Sequence, residues 1–141
     1  MIPVYNNGGT IREVALACRE RLPHVVVIDD GSTDADIRAL LTDTDIHVIR
    51  HEVNQGKGKA LMTALDYVAE KNADYLIAID GDGQHKAADL DQFIPLLQND
   101  NDTLWIGVRD FSKPNVIAVS ASGLVGKVWT KRFPRANFLP E

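Results

Sequence analysis

The chain has one cysteine, Cys18, in 141 residues. A lone thiol closes no intramolecular disulfide and builds no cysteine zinc centre. This excludes the small disulfide-stapled class and points to a reducing, cytosolic setting. No run of roughly 18 apolar residues occurs, so no segment reads as a transmembrane span. The opening residues Met1-Ile2-Pro3-Val4-Tyr5-Asn6-Asn7 lack the basic start and long apolar stretch of a secretory signal. Excess positive charge is missing too. Fifteen Lys and Arg face 20 Asp and Glu, giving a formal net charge of −5 and a pI near 5.3, which argues against nucleic acid as a partner. With only 6 prolines and 45% hydrophobic residues, the chain is neither collagen-like nor disordered. The expectation is one soluble α/β domain around one core.

Charge is distributed unevenly. Nine basic and eighteen acidic residues lie up to Leu104, whereas Arg109, Lys113, Lys127, Lys131, Arg132 and Arg135 then face only Asp110 and Glu141. An acidic body with a basic tail suits a cation on one surface and phosphates near another. A solvated helix face in the tail accounts for the same charges.

Short β-branched runs alternate with helical spacing. Ile2 to Val4 reads as a first strand, followed by an Asn7-Gly8-Gly9 turn and a Thr10-x-x-Glu13 capping box that opens a helix. Ile11, Val14, Ala15, Cys18 and Leu22 recur at helical spacing, which turns Cys18 toward the core. Val25 to Ile28 is a continuous apolar run, as in a strand buried on both faces. Helices are expected over 34–41, 57–70 and 88–97, with strands over 46–49, 75–79 and 103–108. This alternation predicts a mostly parallel sheet with helices on both faces. Past Val108 the spacing predicts a turn at Ser112-Lys113-Pro114-Asn115, a helix over 122–132 and an irregular end.

Ligands of such sheets bind at the carboxyl ends of strands. There the run 75–79 delivers Asp80-Gly81-Asp82-Gly83-Gln84-His85, two carboxylates one residue apart in a glycine-lined loop. Like charges this close call for a cation or a hydrogen-bond network. Asp80, Asp82 and the Gln84 amide are oxygen donors suited to Mg2+ or Mn2+ shared with substrate phosphates. A turn that favours Asp and Gly for conformational reasons would look similar. An EF-hand is excluded because His85 stands where its sixth-position glycine belongs. A second strand end carries Asp29-Asp30-Gly31-Ser32-Thr33-Asp34, where a carboxylate can accept N–H groups of a nucleobase or a side chain can cap the next helix. Asn54-Gln55-Gly56-Lys57-Gly58-Lys59-Ala60 opens a helix with glycines and lysines, yet is neither a Walker A loop nor a dinucleotide fingerprint. Pro3, Tyr5 and Asn7 offer a ring and polar groups to a base.

Together with Gly107-Val108-Arg109, these segments resemble the family 2 glycosyltransferases of the GT-A fold, especially the dolichyl-phosphate mannosyltransferase-like branch, from Ile2 to about Arg109. The resemblance implies a Rossmann-like nucleotide-diphospho-sugar transferase fold. It implies that Pro3, Tyr5, Asn7, Ile28 and Asp30 line the base pocket. Asp80 and Gly81 would approach the ribose, Asp80, Asp82 and Gln84 the divalent ion, and Arg109 a phosphate. The implied reaction is metal-dependent, inverting transfer from a GDP- or UDP-sugar to an acceptor such as a polyprenyl phosphate or a glycan. The expected division is a donor-binding core over 1–109 and the start of an acceptor-side region over 110–141. The acidic acceptor motif and Ser-Gly-Phe-Arg-like stretch of complete members do not follow Arg109, so no catalytic base is assigned and the chain reads as a donor-binding portion.

Two other readings compete: a nucleotide-binding module without turnover, and a haloacid dehalogenase-type phosphohydrolase with Asp80 as nucleophile. The tail bearing Trp129, Phe133 and Phe138 has the composition for a peripheral membrane contact at a cytoplasmic face. Packing of Leu124, Val128 and Trp129 on the sheet is the preferred explanation of those residues.

Overall fold

The computed structural model describes residues 1–71, 73, 75–99, 105–109 and 117–121, with backbone only for 98–99 and the last two segments. They fall into two compact units, one within Met1–Ala87 and one within Ala88–Arg132.

The first unit is a three-stranded parallel sheet in which β2 (Val26–Asp29) lies between β1 (Ile2–Val4) and β3 (His47–Arg50). Its register pairs Pro3 with Ile28 and Ile28 with Ile49. All four residues of β2 are buried, as the unbroken apolar run predicts for a strand covered on both faces. Helices α1 (Gly8–Arg19), α2 (Ile37–Leu40) and α3 (Lys57–Glu70) connect and follow the strands.

The expected strand 75–79 is outside the ladder, but it runs beside β1. The Met1 amine donates to the Ile77 carbonyl at 2.6 Å, and the Ile79 N–H donates to the Met1 carbonyl at 3.1 Å. Two bonds bracketing Ala78 in this way form one rung of a parallel pairing. The spatial order is therefore β3-β2-β1 followed by 75–80, and the chain reverses its direction of travel after β3. Right-handed crossovers then place α1 and α2 on one face and α3 on the other. The packing agrees: α1 contacts α2, while Ala60 and Ala64 of α3 meet Met1, Val26 and Ile28 on the opposite side. Alanine at both positions lets the helix lie close to the strand. The reversal makes the gap between the carboxyl ends of β1 and 75–80 the topological switch point, where ligands of open α/β sheets bind.

The predicted bounds of α3 are those found. Helix α1 instead begins at Gly8, two residues before the expected capping box. Asp34, from another loop, accepts the Gly8 N–H at 2.7 Å and does in trans what a local cap would do. The expected helix 34–41 is shortened to α2, because the Asp36 side chain caps it by accepting the Ala39 N–H at 3.0 Å.

A 3-10 turn at Ala87–Asp89 leads into α4 (Leu90–Asn99), and the described residues of the second unit also include two strands, β4 (Trp105–Arg109) and β5 (Ile117–Ala121). These strands pair antiparallel, Gly107 opposite Val119. β5 falls where the sequence reading expected no strand. The expected turn 112–115, helix 122–132 and basic tail lie outside the described residues.

Candidate functional site

Four loops leave the carboxyl ends of β1, β2, β3 and the 75–80 segment, and hydrogen bonds fasten each to a neighbour. Beyond β1, Asn6 takes a left-handed backbone with φ 53°, a conformation that asparagine tolerates better than most residues. The β2 loop supports it. The Asn6 N–H donates to Ser32 Oγ at 3.1 Å, and Asn6 Oδ1 accepts the Thr33 N–H at 2.8 Å. Tyr5 is 45% exposed, leaving its ring available for stacking. Asn7 donates through Nδ2 to the Tyr5 carbonyl at 3.2 Å, and its own carbonyl opens α1 by accepting from Thr10 and Ile11.

The two adjacent acids after β2 have different duties. Asp29 is fully buried, with Oδ1 accepting the Ser32 N–H at 2.8 Å and Oδ2 accepting from Arg50. Arg50 also donates to the Ser32 carbonyl at 2.8 Å. Asp30 holds the β3 loop. Its Oδ1 meets His51 Nδ1 at 2.7 Å and the Gln55 N–H at 2.9 Å, and its Oδ2 accepts the Gly56 N–H at 2.7 Å. Burial pushes the Asp30 carboxyl up, but the bonds from Gln55, His51 and Gly56 outweigh it and hold the group below its ordinary value. Ile28 has no exposed surface and packs in the α3 core, so its side chain supports the strand end from behind.

Gly31 turns the β2 loop against the β3 loop with φ 76°. A Cβ there would sit 2.7 Å from the Asn54 nitrogen and the Val53 carbonyl carbon. Both atoms are backbone, so neither can swing aside. Replacing Gly31 with alanine is expected to destabilise the fold by about 2 kcal/mol, read as a lower urea midpoint.

The acidic loop docks on the start of α1. Thr10 donates its hydroxyl to the Gly81 carbonyl at 2.8 Å. A Cβ on Gly81 would come within 3.3 Å of Ile11 Cδ1, Ile2 Cγ2 and the Pro3 carbonyl, so glycine permits this close approach. Gly83 has φ 77°, and Asp82 Oδ1 accepts the Gln84 N–H at 2.9 Å in an Asx turn. Asp80 has a neighbour on each side: Lys57, the first residue of α3, pairs with Oδ1, and His85 Nδ1 lies 3.7 Å from Oδ2. The Asp80 side chain is 34% exposed.

Pro3, Tyr5, Asn7, Gly81, Asp80, Asp82 and Gln84 thus belong to the edge where β1 and 75–80 end, and Asp30 to the adjoining strand end. Arg109 closes β4 in the second unit, and its side chain lies outside the described residues. Sequence reasoning missed three residues. Asn6 carries the positive φ, Thr10 ties the acidic loop to α1, and His51 contacts Asp30. Only Thr10 gave a signal, as a cap. Asp80, Asp82 and Gln84 are hard oxygen donors, and among the described residues no set of three or more His, Cys, Asp and Glu gathers as a metal cage. Oxygen donors are the kind of ligand that Mg2+ and Mn2+ take.

Residues 1–136 match the family model described as glycosyl transferase family 2. The chain belongs to glycosyl transferase family 2. A UDP-N-acetylglucosamine–dolichyl-phosphate N-acetylglucosaminyltransferase of Methanococcus voltae is 27% identical over 126 residues, covering 77% of this chain and 50% of that protein. An undecaprenyl-phosphate mannosyltransferase of Micrococcus luteus is 30% identical over 116 residues, covering 77% and 46%. An uncharacterised protein of Methanocaldococcus jannaschii is 29% identical over 146 residues, covering 94% and 64%. The chain spans about half the length of these two transferases. Membership of family 2, together with the α/β unit and its parallel sheet, identifies the Rossmann-like GT-A fold.

Proposed function

We propose that this family 2 member is the donor-binding part of an inverting, metal-dependent glycosyltransferase, taking a sugar from a GDP- or UDP-sugar to a polyprenyl phosphate. The observation that carries this reading is the docking of Asp80-Gly81-Asp82 against the start of α1 at the topological switch point. Tyr5 would stack on the base, and Asp30 would take a base N–H with the acceptor capacity left on Oδ2. Gly81 would let the ribose and phosphates approach the backbone. Asp80, Asp82 and Gln84 would hold Mg2+ or Mn2+. When bound, that ion neutralises charge on the nucleoside diphosphate leaving group. In the reaction the sugar C1–oxygen bond breaks and the acceptor oxygen bonds to C1 from the opposite face. The nucleoside diphosphate leaves with the bonding electron pair. A lipid phosphate is already an anion at neutral pH, so it needs little help from a protein base.

The acceptor class rests on the dolichyl-phosphate and undecaprenyl-phosphate transferases among the relatives. The two relatives leave a dolichyl-phosphate mannosyltransferase-like branch open as the finer assignment. Among the described residues no helix is long and apolar enough to cross a membrane, and a peripheral position at a cytoplasmic membrane face fits a lipid acceptor. Family membership disfavours the phosphohydrolase alternative, whose acidic pair would follow the first strand. The binding module without turnover is the second reading, separated from the first by turnover alone.

The test is release of UDP or GDP from UDP-N-acetylglucosamine or GDP-mannose, with polyprenyl phosphate in detergent and with Mg2+, Mn2+ or chelator. Metal-dependent release that rises with the lipid is the expected result. Binding without release selects the module, and neither binding nor release contradicts both.

A further inference from the structure

His51 is nine-tenths buried between β3 and α3, and both of its ring nitrogens have partners. Nδ1 lies 2.7 Å from Asp30 Oδ1, and Nε2 lies 2.9 Å from Thr63 Oγ1. An ionised carboxylate only accepts, so Nδ1 carries the proton. In the neutral ring Nε2 then accepts the Thr63 hydroxyl proton. Thr63 lies in the body of α3, whereas Asp30 grips the residues just before that helix through the Gln55 and Gly56 N–H groups. Gly56 is the N-cap residue, with φ 89°, and the next residue is Lys57, the partner of Asp80. The contacts form one chain: Thr63, His51, Asp30, the 55–56 amides, Lys57 and Asp80.

We infer that His51 is a positioning residue for the donor site: through the Asp30 carboxylate it braces the 54–57 turn against the body of α3, setting where Lys57 and the first turn of the helix stand relative to the acidic loop. The fold itself has other supports. The Gly56 carbonyl still accepts from Lys59 and Ala60, and the His51 N–H bonds the Asp29 carbonyl at 2.8 Å, independent of the ring. What the ring adds is direction. It fixes the carboxylate plane, so both amides meet an oxygen at once and the turn keeps one shape. Histidine suits this task because its two nitrogens reach opposite partners from a rigid ring.

The consequence for donor affinity rests on the function proposed above, so the experiment has two arms. In the 15N-labelled chain, amide hydrogen exchange at Gln55 and Gly56 reports the turn directly and needs no ligand. His51→Leu is expected to speed exchange at those two amides at least tenfold, while Val27 and Ile28 in the sheet keep their protection. In the second arm, His51→Leu raises the dissociation constant for UDP or GDP, and KM for the sugar donor, about tenfold with kcat near wild type. His51→Asn, whose amide nitrogen can donate to Asp30 from close to the Nδ1 position, restores both. Thr63→Val, which removes only the far partner, moves both readouts in the same direction by less, and it serves if His51→Leu does not fold. Unchanged exchange in these variants overturns the inference, as does loss of kcat without loss of affinity. If the wild type binds no nucleotide, the donor-site reading falls and takes the proposed role in affinity with it. The exchange arm still decides whether His51 holds the turn.

Discussion

Asp30→Asn is expected to lower the stability of the chain by about 3 kcal/mol at neutral pH, a large part of the margin of a small domain. Asparagine has the right shape and the wrong hydrogen-bonding pattern. Whichever way the amide is turned, its NH2 faces a backbone N–H, that of Gln55 at the Oδ1 position or that of Gly56 at the Oδ2 position. A buried donor is left unsatisfied, and the remaining bonds lose the help of a full charge. The effect also has a pH signature. The Asp30 carboxyl lies below its ordinary value of 3.8 in the folded chain, so the unfolded chain binds the proton first as pH falls. Its contribution is complete above that ordinary value and is lost as pH drops through the lower folded value. The stability gap between wild type and Asp30→Asn, measured by urea denaturation, therefore narrows as pH falls below about 4. Asp43 and Asp45, held low by bonds from Arg12 and Arg19, titrate alike in both proteins and cancel in the difference.

Asp80→Ala is expected to act on function with little effect on the fold. Its side chain is one-third exposed and its partner Lys57 is 70% exposed, so truncation buries no orphaned charge. In the proposed site Asp80 would help hold the divalent ion that offsets the negative charge developing on the departing diphosphate. Removing one such electrostatic support commonly costs on the order of a hundredfold in rate. Metal-dependent release of nucleotide from the sugar donor should fall by about that factor, with the thermal midpoint within a few degrees of wild type. Wild-type rates in Asp80→Ala would leave the acidic pair without a part in the chemistry.

Much of this architecture is legible in the sequence because it rests on local patterns. The unbroken run ending at Ile28 marks a doubly covered strand, and the apolar spacing from Lys57 to Glu70 gives the bounds of α3. The glycine-punctuated acidic segments place candidate loops at strand ends. What stays hidden depends on partners far apart in the chain. Asp30 and His51 are 21 residues apart, Lys57 and Asp80 are 23 apart, and Thr10 reaches Gly81 across 71. No local pattern announces such pairs. Asp34 capping α1 from another loop moved that helix's start for the same reason. β5 was missed because Ile117-Ala118-Val119 is a brief apolar run whose strand character comes from pairing with β4.

The most direct test is titration calorimetry of the chain with UDP and with GDP, each with and without Mn2+. A donor site built around Asp80 and Asp82 predicts that one nucleotide binds, that Mn2+ tightens it at least tenfold, and that Asp82→Ala removes the tightening alone. Absence of binding for both nucleotides, with the metal and without it, would contradict the account.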